Sequence, residues 1–281
     1  MSKKKIKNAA GTGVRIIILG LFLFSAVLPL FWIFITSIKN GTELYEIPLV
    51  YFPKEPTLDA YRKLFSYSNF GQYFKNSLLV TLSSATVAMI LSIMGGFALS
   101  RFTRKKVKKF LEILMYFTQT IPSFMIMLPL FMHFSKLKLV DNLPVLAVIY
   151  VATVIAFCTL MSKSFFDRIP PSLEEAGQID GCNLFQSIVR IVLPVTMPGI
   201  AAIFCFAFVN IWNELFIAIM MINKTAKYTV PVALNSYISK AGVSWDLMGA
   251  GIVVSLLPTI IIFGFGQKYI VAGLTEGGVK G

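Results

Sequence analysis

Six stretches of this chain are each long and apolar enough to cross a bilayer as a helix, which takes about 20 residues. They lie near Val14–Ile38, Phe74–Ser100, Phe110–Phe134, Leu143–Phe165, Gly199–Ile222 and Leu247–Ile270. A chain of 281 residues committed to such stretches has little left for a soluble core. Its composition agrees: 56% is hydrophobic, only 14% is charged, and the mean hydropathy is +0.76. Soluble domains are about a quarter charged. The expected fold class is therefore all-α, a multi-pass membrane protein with six transmembrane helices. The expected organisation is an N-terminal tail over 1–13, a six-span domain over 14–270 that includes a polar segment over 166–198, and a C-terminal tail over 271–281.

Lys3, Lys4, Lys5 and Lys7 precede the first stretch, as they would in a signal peptide. The run VRIIILGLFLFSAVLPLFWIFITSI is longer than a signal core and ends in no small-residue cleavage site, so it reads as a retained span. The net charge of +13 raises nucleic acid as a partner. Its distribution points to membrane topology instead. Besides those four lysines, Arg15 stands at the first span, and Arg101, Arg104, Lys105, Lys106, Lys108 and Lys109 crowd the short loop after the second. Two spans separate the clusters, so both fall on one side, which the positive-inside rule makes cytoplasmic. Both termini are expected there, and no nucleic acid is expected. Cys158, Cys182 and Cys205 make an odd set in or beside spans, which argues against a disulfide framework. His133 is the only histidine and cannot hold a metal alone, so no metal or cofactor is expected.

Between the fourth and fifth spans lies EEAGQIDGCNLFQSIVRIVLP, polar and punctuated. Pro170-Pro171 ends the preceding helix. Ser172 with Glu175 has the spacing of a capping box. The helix Leu173–Asp180 then ends at Gly181, which can turn left-handed. Asn183 with Gln186 starts a second helix that is expected to stop at Pro194, and Pro194 and Pro198 set the angle into the fifth span. Ala176, Gly177 and Gly181 let another backbone approach closely, and Glu174, Glu175 and Asp180 offer acceptors on a basic side. From the residues alone, a docking knob and a plain connector stand equal.

This corner resembles the E-A-A…G…I-x-L-P loop of permease subunits of bacterial binding-protein-dependent ABC importers. Glu175, Ala176, Asp180, Gly181, Ile191, Leu193 and Pro194 carry the match. Gly177 stands where the pattern has its second alanine, at a cost of roughly 1 kcal/mol in helix propensity, and Cys182 replaces a usual alanine. The tail QKYIVAGLTEGGVKG resembles that of the second permease subunit of maltose-type, carbohydrate-class importers, and so do SIKNGTELY, FPKEPTLDAYRKLF, YFKNSLLV and IWNELFIAIMMIN, in order along nearly the whole chain. The resemblance implies a permease that forms half of a sugar pathway with a second permease, fed by an extracellular solute-binding protein and driven by two ATPase subunits. It implies that Glu174, Glu175, Ala176, Gly177, Asp180, Gly181, Leu193 and Pro194 couple to the ATPases, and that the tail at Thr275, Glu276, Gly277 and Gly278 reaches between them. No G-x-x-x-x-G-K-[ST] loop is present, so the chain is expected to be a transport subunit without ATP chemistry of its own.

Glu214 lies inside the fifth stretch, and an ionisable group there is a pathway or gate candidate. Asn210 and Asn213 share its helical face, while Trp212 points elsewhere as a packing aromatic. Gln119, between Thr118 and Thr120 and beside Pro122, is a second candidate at a site where a helix can kink. Glu112 reads as a favourable charge at a helix start. In the first outer loop, Thr57 can cap a short amphipathic helix whose apolar face is Leu58, Tyr61, Leu64 and Phe65. The rivals are the same architecture serving glycerol-phosphate or an oligouronate, which would favour basic residues within the spans, and a secondary transporter, which would favour internal repeats with paired broken helices. Neither signature is visible.

Overall fold

A computed structural model describes residues 3–240 and 242–275. Glu276, Gly277 and Gly278 of the expected tail contact lie outside the described residues. The helices are α1 Lys3–Ser37, α2 Asp59–Ser66, α3 Phe70–Arg101, α4 Lys105–Thr120, α5 Ser123–Lys136, α6 Leu143–Phe166, α7 Ser172–Ile179, α8 Leu184–Ser187, α9 Leu193–Val195, α10 Met197–Trp212, α11 Phe216–Met221, α12 Val230–Ser236 and α13 Trp245–Thr275. A two-stranded antiparallel ribbon pairs β1, Ile238–Ser239, with β2, Gly242–Val243. Among the described residues, four helical stretches are long and apolar enough to cross a membrane unaided: Thr12–Ser37, Phe70–Arg101, Leu143–Phe166 and Trp245–Lys268. Two bent pairs, Lys105–Thr120 with Phe124–Lys136 in the third crossing and Leu184–Val195 with Met197–Trp212 at the fifth, bring the all-α architecture to six spans when each pair is taken as one.

Both of those crossings were expected as single helices, and both are broken. α4 and α5 meet at 92°. Pro122 has no N–H to continue the ladder, and Ile121 before it is extended (φ −82°, ψ 116°), the conformation that a following proline enforces. The fifth crossing stops at Trp212 and restarts at Phe216, with Asn213, Glu214 and Leu215 between.

By contacts the chain divides into two units, Met1–Phe70 with Leu234–Leu256, and Gly71–Ala233 with Leu257–Gly281. In the first unit, the hydroxyls of Ser37 and Tyr61 lie 2.8 Å apart and join α1 to α2. Tyr45 donates to the Val243 carbonyl at 2.7 Å. The buried Lys39 donates to the Val50 carbonyl, and its ammonium sits 5.1 Å from the Trp32 ring centre. The face of α2 differs from expectation. Ala60 and Leu64 are buried, while Leu58 and Phe65 are exposed. Thr57 accepts from the N–H of Asp59 at 3.2 Å, but Leu58 takes the N-cap position, with no side-chain cap.

In the second unit, polar side chains fix the loop after α11. Asn76 donates to the carbonyls of Ala226 and Tyr228, both at 3.0 Å, and Ser77 accepts from the N–H of Val230 at 2.7 Å. Asp141, in a left-handed turn (φ 60°), accepts from the N–H groups of Asn223 and Lys224. Trp212 is 3% exposed and stacks on Phe208, with centroids 5.7 Å apart. The three cysteines are free. Glu112 is not at a helix start. It sits two turns into α4 and pairs with Lys163 at 2.8 Å.

Candidate functional site: the α7–α8 corner

The corner between α6 and α10 is built from a short apolar cluster. Phe97, Phe166, Ile169 and Val192 are buried together, with Ile93, Leu173, Ile188 and Leu193 packed against them. Over this cluster, the guanidinium of Arg101 at the end of α3 ties three groups. Nε donates to Glu174 at 2.8 Å, Nη2 to the Ile169 carbonyl at 2.8 Å, and Nη1 to the Ser100 hydroxyl at 2.9 Å. Ser100 in turn donates to Asp167 at 2.6 Å. Asp167 also faces Lys163 at 2.8 Å and Lys108 at 3.6 Å. Partial burial pushes the Asp167 carboxyl up, but the hydrogen bonds from Lys163 and Ser100 and the charges of Lys163 and Lys108 outweigh it. The carboxyl lies below its ordinary value.

The helix start differs from the expected capping box. Pro171, not Ser172, is the N-cap and already has helical backbone (φ −58°, ψ −26°), with no side-chain cap bond. Pro170 and Pro171 accept the first turn's N–H groups from Leu173, Glu174 and Glu175. The prolines thus start the helix one residue early and leave Ser172 inside it. Glu174 is a second correction. It is 7% exposed and faces Arg101, so it holds the corner to the body and offers no outward acceptor.

The far end of α7 matches expectation. Gly181 takes φ +87°, which L side chains rarely adopt. Asn183 and Gln186 form a complete capping box on α8. The second helix does not stop at Pro194, however. Ile188–Val192 widen into a π turn, and Pro194 sits within α9, which runs to Val195. A proline inside a helix loses one ladder bond and crowds the preceding turn, and the wide turn lies just before it. The bend into α10 then comes at Thr196, between Pro194 and Pro198, and measures 75°.

Gly177 explains its own departure from the alanine pattern. A Cβ there would lie 2.4 Å from Ile191 Cδ1 and 2.6 Å from Ser187 Oγ. Its absence lets α7 press on the segment after the corner, where Ser187 donates to the Glu174 carbonyl at 3.3 Å. Turned outward are Glu175, Ala176, Asp180 and Gly181, and with them two large apolar side chains, Ile179 (85% exposed) and Phe185 (73%). Their opposite number is the inward set Leu173, Glu174 and Gly177, so the outward role of Ile179 could have been read from its place on the other face of α7. Leu193 lies against the apolar cluster and Pro194 is exposed.

The pathway candidates fall in two places. Gln119 and Thr118 line a cavity of about 360 Å³ at the α4–α5 bend, with Ile121, Ile149, Thr153 and Ile217 among the other walls and no charged side chain among the described residues that line it. Asn210 and Asn213 are exposed, and each donates back to a carbonyl of its own helix, Phe206 at 2.9 Å and Val209 at 2.8 Å. Glu214 does not stand with them. It turns toward α6 and accepts from Tyr150 at 2.9 Å.

A family profile described as "Binding-protein-dependent transport system inner membrane component" matches residues 89–276. The chain is similar to the sulfoquinovosyl glycerol transport system permease protein SmoH of Agrobacterium fabrum, 32% identical over 272 residues that cover 97% of this chain and 95% of that one. It is also similar to the arabinooligosaccharides transport system permease protein AraQ of Halalkalibacterium halodurans, 31% identical over 261 residues and 92% of each chain. Its fold matches a chain in the crystal structure of a bacterial ABC transporter involved in the import of the acidic polysaccharide alginate, with a TM-score of 0.78, 24% identity, and coverage of 96% of this chain and 99% of that one.

Proposed function

The chain belongs to the family of inner-membrane components of binding-protein-dependent transport systems, and on that footing we propose that it forms half of the pathway of an ATP-driven importer for a sugar or oligosaccharide. A second permease completes the pathway, an extracellular solute-binding protein delivers the solute, and two ATPase subunits dock on the cytoplasmic side, where both termini of this chain also lie. The observation that carries the reading is the α7–α8 corner. Its outer face bears Ile179 and Phe185 exposed beside Glu175 and Asp180, while its inner face is fixed by Arg101, Glu174 and Gly177. Apolar side chains held out on a rigid mount suit a protein partner better than water. Force applied there passes into α10 and not into a loosened loop. ATP hydrolysis belongs to the separate ATPase chains. The relatives' names support a carbohydrate solute. The uncharged lining of the bend cavity, with Thr118, Gln119 and Thr153 as its polar groups, favours a neutral solute over an anion.

Co-purification of the detergent-solubilised chain with the products of its operon neighbours tests the reading. The unaltered chain is expected to retain an ATPase subunit and Gly181→Asp to lose it, because the new side chain strains the turn and crowds the face. Failure of the unaltered chain to retain any ATPase would overturn the importer reading. Equal retention by both would move the docking site away from this corner.

A further inference from the structure

Glu214 lies within the fifth crossing and takes no part in the corner. The sixteen residues of α10 rise about 1.5 Å each, which places Glu214 about 24 Å along the helix from the bend. There the helix breaks, and the first N–H groups of α11 have no helical partner. Hydrocarbon supplies none. The Glu214 carboxylate does: Oε1 accepts from the N–H of Ile217 at 2.9 Å, and Oε2 from that of Ala218 at 3.2 Å. Oε2 also accepts from the Tyr150 phenol at 2.9 Å. Tyr150 is 2% exposed and belongs to α6. One carboxylate therefore both restarts the fifth crossing and ties that restart to the fourth. Ile217, which the carboxylate caps, is a wall of the bend cavity that Thr118 and Gln119 also line. Thr153, another wall, lies three positions after Tyr150 on α6, and its hydroxyl donates to the Tyr150 backbone carbonyl at 2.7 Å.

We propose that Glu214 and Tyr150 are positioning residues that hold the Ile217 wall of the bend cavity in place, and that they shape the solute's path through that wall without touching the solute. That the wall borders a solute path rests on the importer reading; that Glu214 holds Ile217 does not.

The test places a reporter at Ile217→Cys in the complex purified with its operon partners, with Cys158, Cys182 and Cys205 replaced by alanine. The rate of labelling by the anionic thiol reagent methanethiosulfonate ethylsulfonate is then followed. Glu214→Ala is expected to change the rate by roughly fivefold or more, the scale set by leaving buried donors unpaired. Tyr150→Phe shifts it in the same direction, and the double variant goes no further than Glu214→Ala, because both act through one contact. Glu214→Gln is expected to fall between the unaltered and Glu214→Ala rates, since its amide oxygen accepts from Ile217 and its NH2 donates to the Tyr150 oxygen while the Ala218 N–H loses its acceptor. A second reporter, Val148→Cys on the exposed side of α6, keeps its rate throughout. Equal labelling of Ile217→Cys with and without Glu214, additive effects of the two substitutions, or an equal change at the Val148→Cys reporter would each overturn the proposal. Repeating the Ile217→Cys measurement with ATP and vanadate reads the importer premise separately. A complex that ignores both would count against that premise while the Glu214 result stands.

Discussion

Arg101 and Glu174 stand 73 positions apart in sequence and meet at 2.8 Å, each side chain about nine-tenths buried. Removing one partner of such a pair strands a charge, which costs about 3–5 kcal/mol, whereas replacing both by apolar groups can be neutral. Arg101→Met is therefore expected to destabilise the chain by about 3 kcal/mol, and Arg101→Met with Glu174→Leu to recover most of the loss. Thermal unfolding of the two purified variants measures this. If the double variant is as unstable as the single, the pair is not what holds the corner.

Ile179 and Phe185 are expected to behave in the opposite way. They are exposed, so replacing both by serine leaves stability within about 0.5 kcal/mol, as is usual for surface changes. ATPase retention should nevertheless fall sharply. A comparison of melting temperature with co-purified ATPase for one preparation separates the two effects. A loss of stability without loss of ATPase would contradict the assignment.

Gly177 sits where a methyl group meets Ile191 and Ser187. Gly177→Ala gains about 1 kcal/mol of helix propensity but overpacks the contact, which typically costs about 1–3 kcal/mol. The expected net is a lower melting temperature. Ile191→Val removes the Cδ1 in the way, so Gly177→Ala with Ile191→Val should melt above Gly177→Ala alone. If it melts lower, the close approach described here is not what limits the site.

The Asp167 carboxyl is held below its ordinary value in the folded chain. A depressed carboxyl contributes stability that is fully present above the unfolded pKa, near 3.9, and is lost as pH falls through the lower folded value. The part of the acid loss of stability that Asp167 causes should therefore appear below about pH 4 and be absent in Asp167→Asn. Melting temperature as a function of pH for the two proteins checks it. A difference that grows between pH 5 and 7 instead would contradict the sign.

The crossings and the corner were legible because their signals are local. Apolar length marks the spans, and Gly181, Asn183 and Gln186 mark the turn within a few residues of one another. What the sequence concealed are relationships across distance. Arg101 reads as one of a basic cluster, because its partner lies on another helix. Glu214 reads as a pathway residue until its own break in the helix is visible, since a carboxylate three residues before an N–H can cap it only if the helix ends there. Ser172 has the right spacing for a cap, but the two prolines before it fix helical geometry first. Pro194 looks like a stop, yet the chain takes up the strain in a wider turn and continues.

The 75° bend at Thr196 makes the corner and α10 the two arms of a crank. In the proposed importer, a push on the short arm would become a swing of the long arm. The far end of that arm is not free, because just past it Glu214 is pinned to Tyr150. On that reading the pin would serve as a pivot, with displacement largest near the bend. The stub α11 would then stay with its neighbours while the half of the crossing nearest the corner moves.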